Sequence, residues 1–159
     1  DENLKIFIND KRAIFIIGNI KVVLRLLDGE FIKYKDVLPK ESKIKLRVNK
    51  YDLMESIERA SLLSKEGKNN LIKLSLKDTI VTITSKSEEG NVREEIIVTK
   101  EGEDLDIGFN AKYVLDVLKS IDDEEIYMYF NTSITPCLVK PVEGNAFEYL
   151  ILPVRITSN

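Results

Sequence analysis

Side chains able to do covalent chemistry are few in this chain. It contains no histidine and a single cysteine, Cys137. Without histidine there is no Ser-His or Cys-His nucleophile pair and no zinc site of the usual ligand type. A lone cysteine forms no internal disulfide, which fits a reducing, cytoplasmic setting, and its ordinary role is that of a small buried hydrophobe. Carboxylates remain. The densest run, Asp122-Asp123-Glu124-Glu125, could in principle supply a general acid and base, the rival reading of the chain as a carboxylate enzyme. Four consecutive acids more commonly form a solvated turn, and neighbours in sequence do not face one another across a substrate. The expectation is a protein without catalytic residues, metal or cofactor.

The 159 residues carry 24 Lys and Arg against 27 Asp and Glu, a formal charge of -3. A small module that grips DNA tightly is normally basic, so this balance argues against one. With 43% apolar residues the composition is that of a globular protein of one domain, with part of another. No run approaches the roughly 20 apolar residues needed to span a bilayer, and Asp1-Glu2-Asn3 lacks the basic and apolar layout of a secretory signal.

The elements that must position any site follow from hydrophobic periodicity. Apolar runs at 4–8, 13–17 and 20–27, separated by Asn9-Asp10 and Gly18-Asn19, predict three strands with turns. Three strands make a poor core alone, so this part is expected to be the end of an incomplete domain, with Pro39-Lys40-Glu41-Ser42-Lys43 as a linker. Beyond it the layout repeats. A strand at 44–48 leads to Asn49, which caps a helix with the stripe Leu53, Met54, Ile57, Ala60 and Ser61; strands at 71–76, 80–84 and 92–98 follow. A strand at 105–109 then leads to Asn110, which caps a second helix with Val114, Leu115, Leu118 and Ile121; strands at 126–130, 135–139 and 147–152 close the chain.

Each half is therefore strand, helix, strand, strand, strand, and Lys50-Tyr51-Asp52-Leu53 and Lys112-Tyr113-Val114-Leu115 lie about 60 residues apart. A duplicated βαβββ unit implies an α+β domain, 41–159, with two helices side by side on antiparallel sheets. Counting about 100° per residue away from the apolar stripes puts Asp52, Glu55 and Arg59 on one outer helix face and Lys112, Asp116 and Lys119 on the other. Leu62 lies nine residues after Leu53, half a turn off the stripe, so Leu62 or Leu63 should be exposed. In the run Leu150 to Ile156 alternate side chains cannot all reach one core, and Pro153 ends strand pairing, so apolar surface is left over.

Three strings carry a family resemblance. RLLDGEFIKYKDVLP at 25–39 resembles the end of the second domain of bacterial replicative sliding clamps, the beta subunits of DNA polymerase III. GFNAKYVLDVLKSID at 108–122 is similar to the second helix of their third domain, and EYLILPVRI at 148–156 to their C-terminus. The resemblance implies the DNA clamp fold and a non-catalytic processivity factor. The full-length protein would be a head-to-tail homodimeric ring of three-domain subunits around double-stranded DNA, with helices lining the hole. Residues 1–40 would be the end of domain two plus linker, and 41–159 domain three.

The same resemblance assigns sites. Arg59, Lys112 and Lys119 would face DNA, weakly enough to permit sliding. Leu62, Leu63 and the strand at 92–98 would form the ring interface, so that this chain alone is a monomer or a non-native edge-to-edge dimer. Ile32, Val37, Ile134, Pro136, Leu150, Ile151, Leu152, Pro153, Val154 and Arg155 would line a groove for a short peptide motif of the polymerase, clamp loader and repair proteins. Burying a few aliphatic or aromatic peptide side chains, each contributing roughly 1.5–3 kcal/mol before ordering costs, gives micromolar binding. Ile32 stands where many relatives carry proline, Thr157-Ser158-Asn159 extends past the usual end, and the upstream half of the pocket is absent, so binding weaker than that of an intact clamp is expected. The alternative is a stand-alone peptide-binding adaptor of the same fold with no DNA role.

Overall fold

The computed structural model describes residues 3–31, 33, 37–39, 41–64, 70–88 and 90–156, without the side chains of Leu63 and Ser64. The chain divides into two units, 1–36 and 37–159. In the first, β1 (Lys5–Ile8), β2 (Arg12–Ile17) and β3 (Ile20–Arg25) form an antiparallel meander. Asn9 shapes its first turn, its side chain accepting from the backbone N–H groups of Lys11 and Arg12 at 3.0 and 2.9 Å. Every residue of β1 and β3 is exposed, which is why three strands do not suffice as a core.

The second unit holds β4 (Ile44–Asn49), α1 (Lys50–Ser64), β5 (Leu71–Lys77), β6 (Ile80–Lys86), β7 (Asn91–Ile97), β8 (Thr99–Glu101), β9 (Leu105–Asn110), α2 (Ala111–Lys119), β10 (Glu125–Phe130), β11 (Cys137–Pro141) and β12 (Tyr149–Ile151). Two antiparallel sheets result, ordered β7-β6-β5-β9 and β12-β11-β10-β4-β8. The first strand of each half is exchanged: β4 pairs with β10 of the second half, and β9 with β5 of the first. The junctions repeat as well. The first helical N–H of α1, on Lys50, donates to Glu124 O at 2.8 Å, and that of α2, on Ala111, donates to Asn70 O at 2.9 Å. Glu124 and Asn70 each immediately precede the strand that receives the exchanged partner, so the duplication read from sequence extends to backbone hydrogen bonds.

Both helices start where asparagine is available to accept orphan N–H groups. Asn49 Oδ1 accepts from Tyr51 N and Asp52 N at 2.9 and 3.2 Å, and Asn110 Oδ1 from Lys112 N at 2.9 Å. α1 packs on β4 to β7, α2 on β9 and β12, and the two helices on each other. Leu53, Ile57 and Ala60 of α1 and Val114 and Leu118 of α2 enter one core with alternate residues of both sheets, among them Ile72, Leu74, Ile83, Phe109, Met128 and Phe130. Each such aliphatic side chain contributes roughly 1.5–3 kcal/mol by leaving water.

Several elements differ from the expectation. β8 is an unforeseen strand: after the buried corner at Val98 the chain leaves one sheet and adds Thr99–Glu101 to the other, against β4. Gly102 makes this possible, since at its φ of +98° a Cβ would stand 2.1 Å from Lys43 O. β11 begins at Cys137, because residues 132–135 form a turn in which Thr135 N donates to Thr132 O and Thr132 N to Thr135 Oγ1. β12 is three residues long and stops before Leu152. Ser61, counted on the apolar stripe, is buried but satisfied, its hydroxyl donating to Glu58 O at 2.8 Å.

Candidate functional site

Three surfaces carry the residues singled out from sequence, and the helix face is the first. Asp52, Glu55, Arg59, Lys112, Asp116 and Lys119 are all exposed. Three of the six, Glu55, Arg59 and Lys119, are held in ion pairs. Arg59 donates through Nε and an η nitrogen to Glu94 Oε2 of β7 at 3.0 and 2.8 Å, and that same η nitrogen also meets Ser56 Oγ at 3.1 Å. Lys119 Nζ reaches Glu58 Oε1 of the other helix at 2.9 Å. Lys112 makes no ion pair among the described residues. Of the three cations on this face only Lys112 is unpaired among the described residues, enough for about one phosphate contact. Lys50, at the base of α1, is buried rather than presented, its Nζ held by Ile121 O at 2.6 Å.

The second surface is the edge of the four-stranded sheet. β7 is its outermost strand and pairs only with β6 among the described residues. Leu62 is 65% exposed on the last turn of α1, and Ile97 at the end of β7 is 85% exposed. The side chain of Leu63 lies outside what the structure describes. Glu94 points inward under α1, where Arg59 covers it; an inward-pointing charge is a common guard on an open edge.

The chain end is the third. Beyond β12 it crosses to the other sheet, where Val154 forms a single bridge with Gly108 and its N–H donates to Gly108 O at 2.8 Å. The approach is close because residue 108 has no side chain: a Cβ there would lie 2.7 Å from Val154 O and 2.9 Å from Ile156 Cγ1. Leu152, Arg155, Ile134 and Val37 are exposed, and Leu150, Pro136, Pro153 and Val154 half-buried. Ile151 requires correction. It is 3% exposed and belongs to the core, because β12 pairs Ile151 with inward-facing Cys137 while Leu150 pairs with Leu138 on the other face. Ile32 lies outside the described residues.

Sequence reasoning missed the floor beside this tail. Lys73, Asp106 and Ser133 join Ile134, Arg155 and Ile156 around a cavity of about 350 Å³. Lys73 Nζ and Asp106 Oδ2 are 2.7 Å apart. Hydrogen bonds from Lys73 and then Ser75 hold the Asp106 carboxyl below the usual carboxylate range. The signal that could have led there is Gly108 itself, a glycine inside an otherwise β-forming run, which marks a place where another backbone comes close.

Elsewhere the chemistry is quiet. Cys137 is fully buried, and burial pushes its thiol up, away from the reactive thiolate. Among the described residues no group of three or more His, Cys, Asp or Glu could hold a metal ion, and no helix is long and apolar enough to cross a membrane.

Residues 35–155 match the family described as DNA polymerase III beta subunit, C-terminal domain. The chain is 40% identical over 157 residues to the beta sliding clamp of Staphylococcus epidermidis, covering 98% of this chain and 42% of that protein. The crystal structure of the DNA polymerase III beta chain from Streptococcus pneumoniae superposes with a TM-score of 0.89 at 34% identity, over 96% of this chain and 41% of that one. The DNA polymerase sliding clamp from Bacillus subtilis gives 0.88 at 38% identity, over 97% and 41%. The chain thus spans about two fifths of the length of the relatives it matches. The exchanged-strand, two-helix unit is the DNA clamp fold, and the chain belongs to the DNA polymerase III beta subunit family, whose C-terminal domain it contains.

Proposed function

We propose that this chain is one arc of a sliding clamp that encircles double-stranded DNA and gives a replicative polymerase its processivity, without catalysis of its own. Residues 1–40 are the end of the preceding clamp domain with its linker, and 41–159 the last domain of the subunit. The observation that carries the reading is the pair of capped helices on one buried sheet face of each half, with two of the three outward cations, Arg59 and Lys119, already paired internally. A closed collar holds DNA by topology, so its wall needs little affinity, and a charge-paired wall permits sliding. In the full-length homodimer, Leu62, Leu63 and the β7 edge meet the neighbouring subunit. The tail, through Leu150, Leu152, Pro153, Val154 and Arg155 with Ile134, Pro136 and Val37, receives a short apolar motif of polymerase, clamp loader or repair proteins. The setting is the bacterial cytoplasm, where replication takes place.

The test replaces the aligned 157 residues of the Staphylococcus epidermidis clamp with this chain and measures product length with that organism's polymerase and loader. Long products, collapsing to distributive lengths when the chimera is omitted, are expected. A chimera that folds and dimerises yet leaves products short contradicts the proposal.

A further inference from the structure

The two halves of the domain finish their sheets differently. In the second half the last strand, β12, is three residues long, α2 rests on it, and Phe147 and Tyr149 pack against the core. No ion pair joins α2 to β12 among the described residues. The counterpart in the first half, β7, has seven residues and an open outer edge. There Glu94 turns toward α1, and Arg59 spans the gap. Arg59 Nε and one η nitrogen meet Glu94 Oε2 at 3.0 and 2.8 Å, and that η nitrogen also reaches Oγ of the buried Ser56 at 3.1 Å. The other η nitrogen lies 3.6 Å from Glu55 Oε2. The Glu94 side chain is only 23% exposed, so the guanidinium joins helix to strand. β7 otherwise has one ladder of hydrogen bonds, to β6, and Val92 and Ile96 to seat it. A carboxylate turned inward at such an edge costs free energy unless it is paired. Arg59 supplies the pair from the helix that carries Leu62 one turn further on.

We propose that Arg59 is a positioning residue for ring assembly and not a DNA contact. Its tie to Glu94 fixes β7 against α1 before the subunits meet, so that the open edge and Leu62 reach the neighbouring subunit as one preset surface. The inference rests on the proposed ring interface and adds to it the residue that prepares it. Preorganisation is the source of the effect, because a strand already held in its bound shape loses less freedom on association. A phosphate could take Arg59 only by unpairing a largely buried carboxylate, which the charge on DNA does not replace. The second half needs no such tie, since its edge strand is short and the chain leaves it at once for the other sheet.

The test uses the full-length chimera in which this chain replaces the aligned part of the Staphylococcus epidermidis clamp. Its dimer dissociation constant is read by analytical ultracentrifugation, and the salt dependence of its binding to a short duplex by fluorescence anisotropy. Arg59→Gln and Glu94→Gln should each weaken the dimer about fivefold, and the double variant should be no weaker than either alone, as one shared interaction requires. Lys140→Gln removes the Lys140–Glu148 pair on the other sheet, at 2.7 Å, and should leave the dimer constant within about twofold. The slope of log affinity against log salt should be the same for Arg59→Gln as for the parent. An Arg59→Gln chimera that dimerises as the parent does, with a slope smaller by about one, overturns the proposal and returns Arg59 to the DNA wall. Additive losses in the double variant also overturn it, since the two residues would then act separately. A parent chimera that folds but stays monomeric overturns the ring interface and the tie together.

Discussion

Gly108→Val is expected to weaken peptide binding at the tail tenfold or more while leaving most of the fold in place. The substituted side chain would begin 2.7 Å from Val154 O and 2.9 Å from Ile156 Cγ1, and the first of these is backbone, so the tail must lift. Lifting it breaks the hydrogen bond from Val154 N to Gly108 O and carries Arg155 and Ile156 away from Ile134. The stability cost is about 1–3 kcal/mol, that of an overpacked contact with one lost hydrogen bond. The affinity cost is tenfold or more, at roughly 1.4 kcal/mol per decade, because the groove loses a whole wall. Urea denaturation together with titration of a short leucine-rich peptide separates the two effects. Unchanged peptide affinity in a variant that remains folded would show that the tail's seat on β9 does not build the site.

Phe109→Ala, at the next position, should do the opposite. Phe109 is fully buried, faces the other side of β9, and packs in the core shared by both helices and both sheets. Truncating it leaves a cavity among Ile72, Val114 and their neighbours, with an expected loss of about 3–5 kcal/mol. Against a usual total of about 5–15 kcal/mol, that is roughly a fifth or more of the domain's stability. The urea midpoint should fall with an unchanged slope. A loss under about 1 kcal/mol would mean that β9 does not carry the core between the two halves. The contrast between neighbouring residues follows from the strand's two-residue alternation: one face holds the domain together and the other seats the tail.

Local signals made much of this architecture legible. Asn49 and Asn110 cap the helices they were expected to cap, and the stripes of Leu53, Ile57 and Ala60 and of Val114 and Leu118 are the ones buried. Legibility failed where the cause is distant in sequence or the pattern carries no contrast. Thr99–Glu101 has no apolar alternation, and it is a strand only because β4 is free to pair and Gly102 allows the turn. Ile151 could not be told from Leu150 and Leu152 in an unbroken aliphatic run; only its pairing with Cys137 sets which face it takes. The partners of Arg59 and Lys119 lie on other elements, Glu94 on β7 and Glu58 on α1, so counting around a helix found the exposure of these cations and missed their neutralisation. The cavity at Arg155 draws Lys73 and Asp106 from strands to which no site residue was assigned from sequence.

Topological retention on DNA tests the clamp reading most directly. The Staphylococcus epidermidis chimera would be loaded onto a nicked circular duplex and separated from free protein by gel filtration, before and after the circle is cut once. If this chain forms part of a closed collar, the protein co-elutes with the circle, survives moderate salt because its wall holds no phosphate tightly, and runs off once the DNA has ends. Equal retention on circular and linear DNA, or release from both by salt alone, would mean that contact and not enclosure holds it.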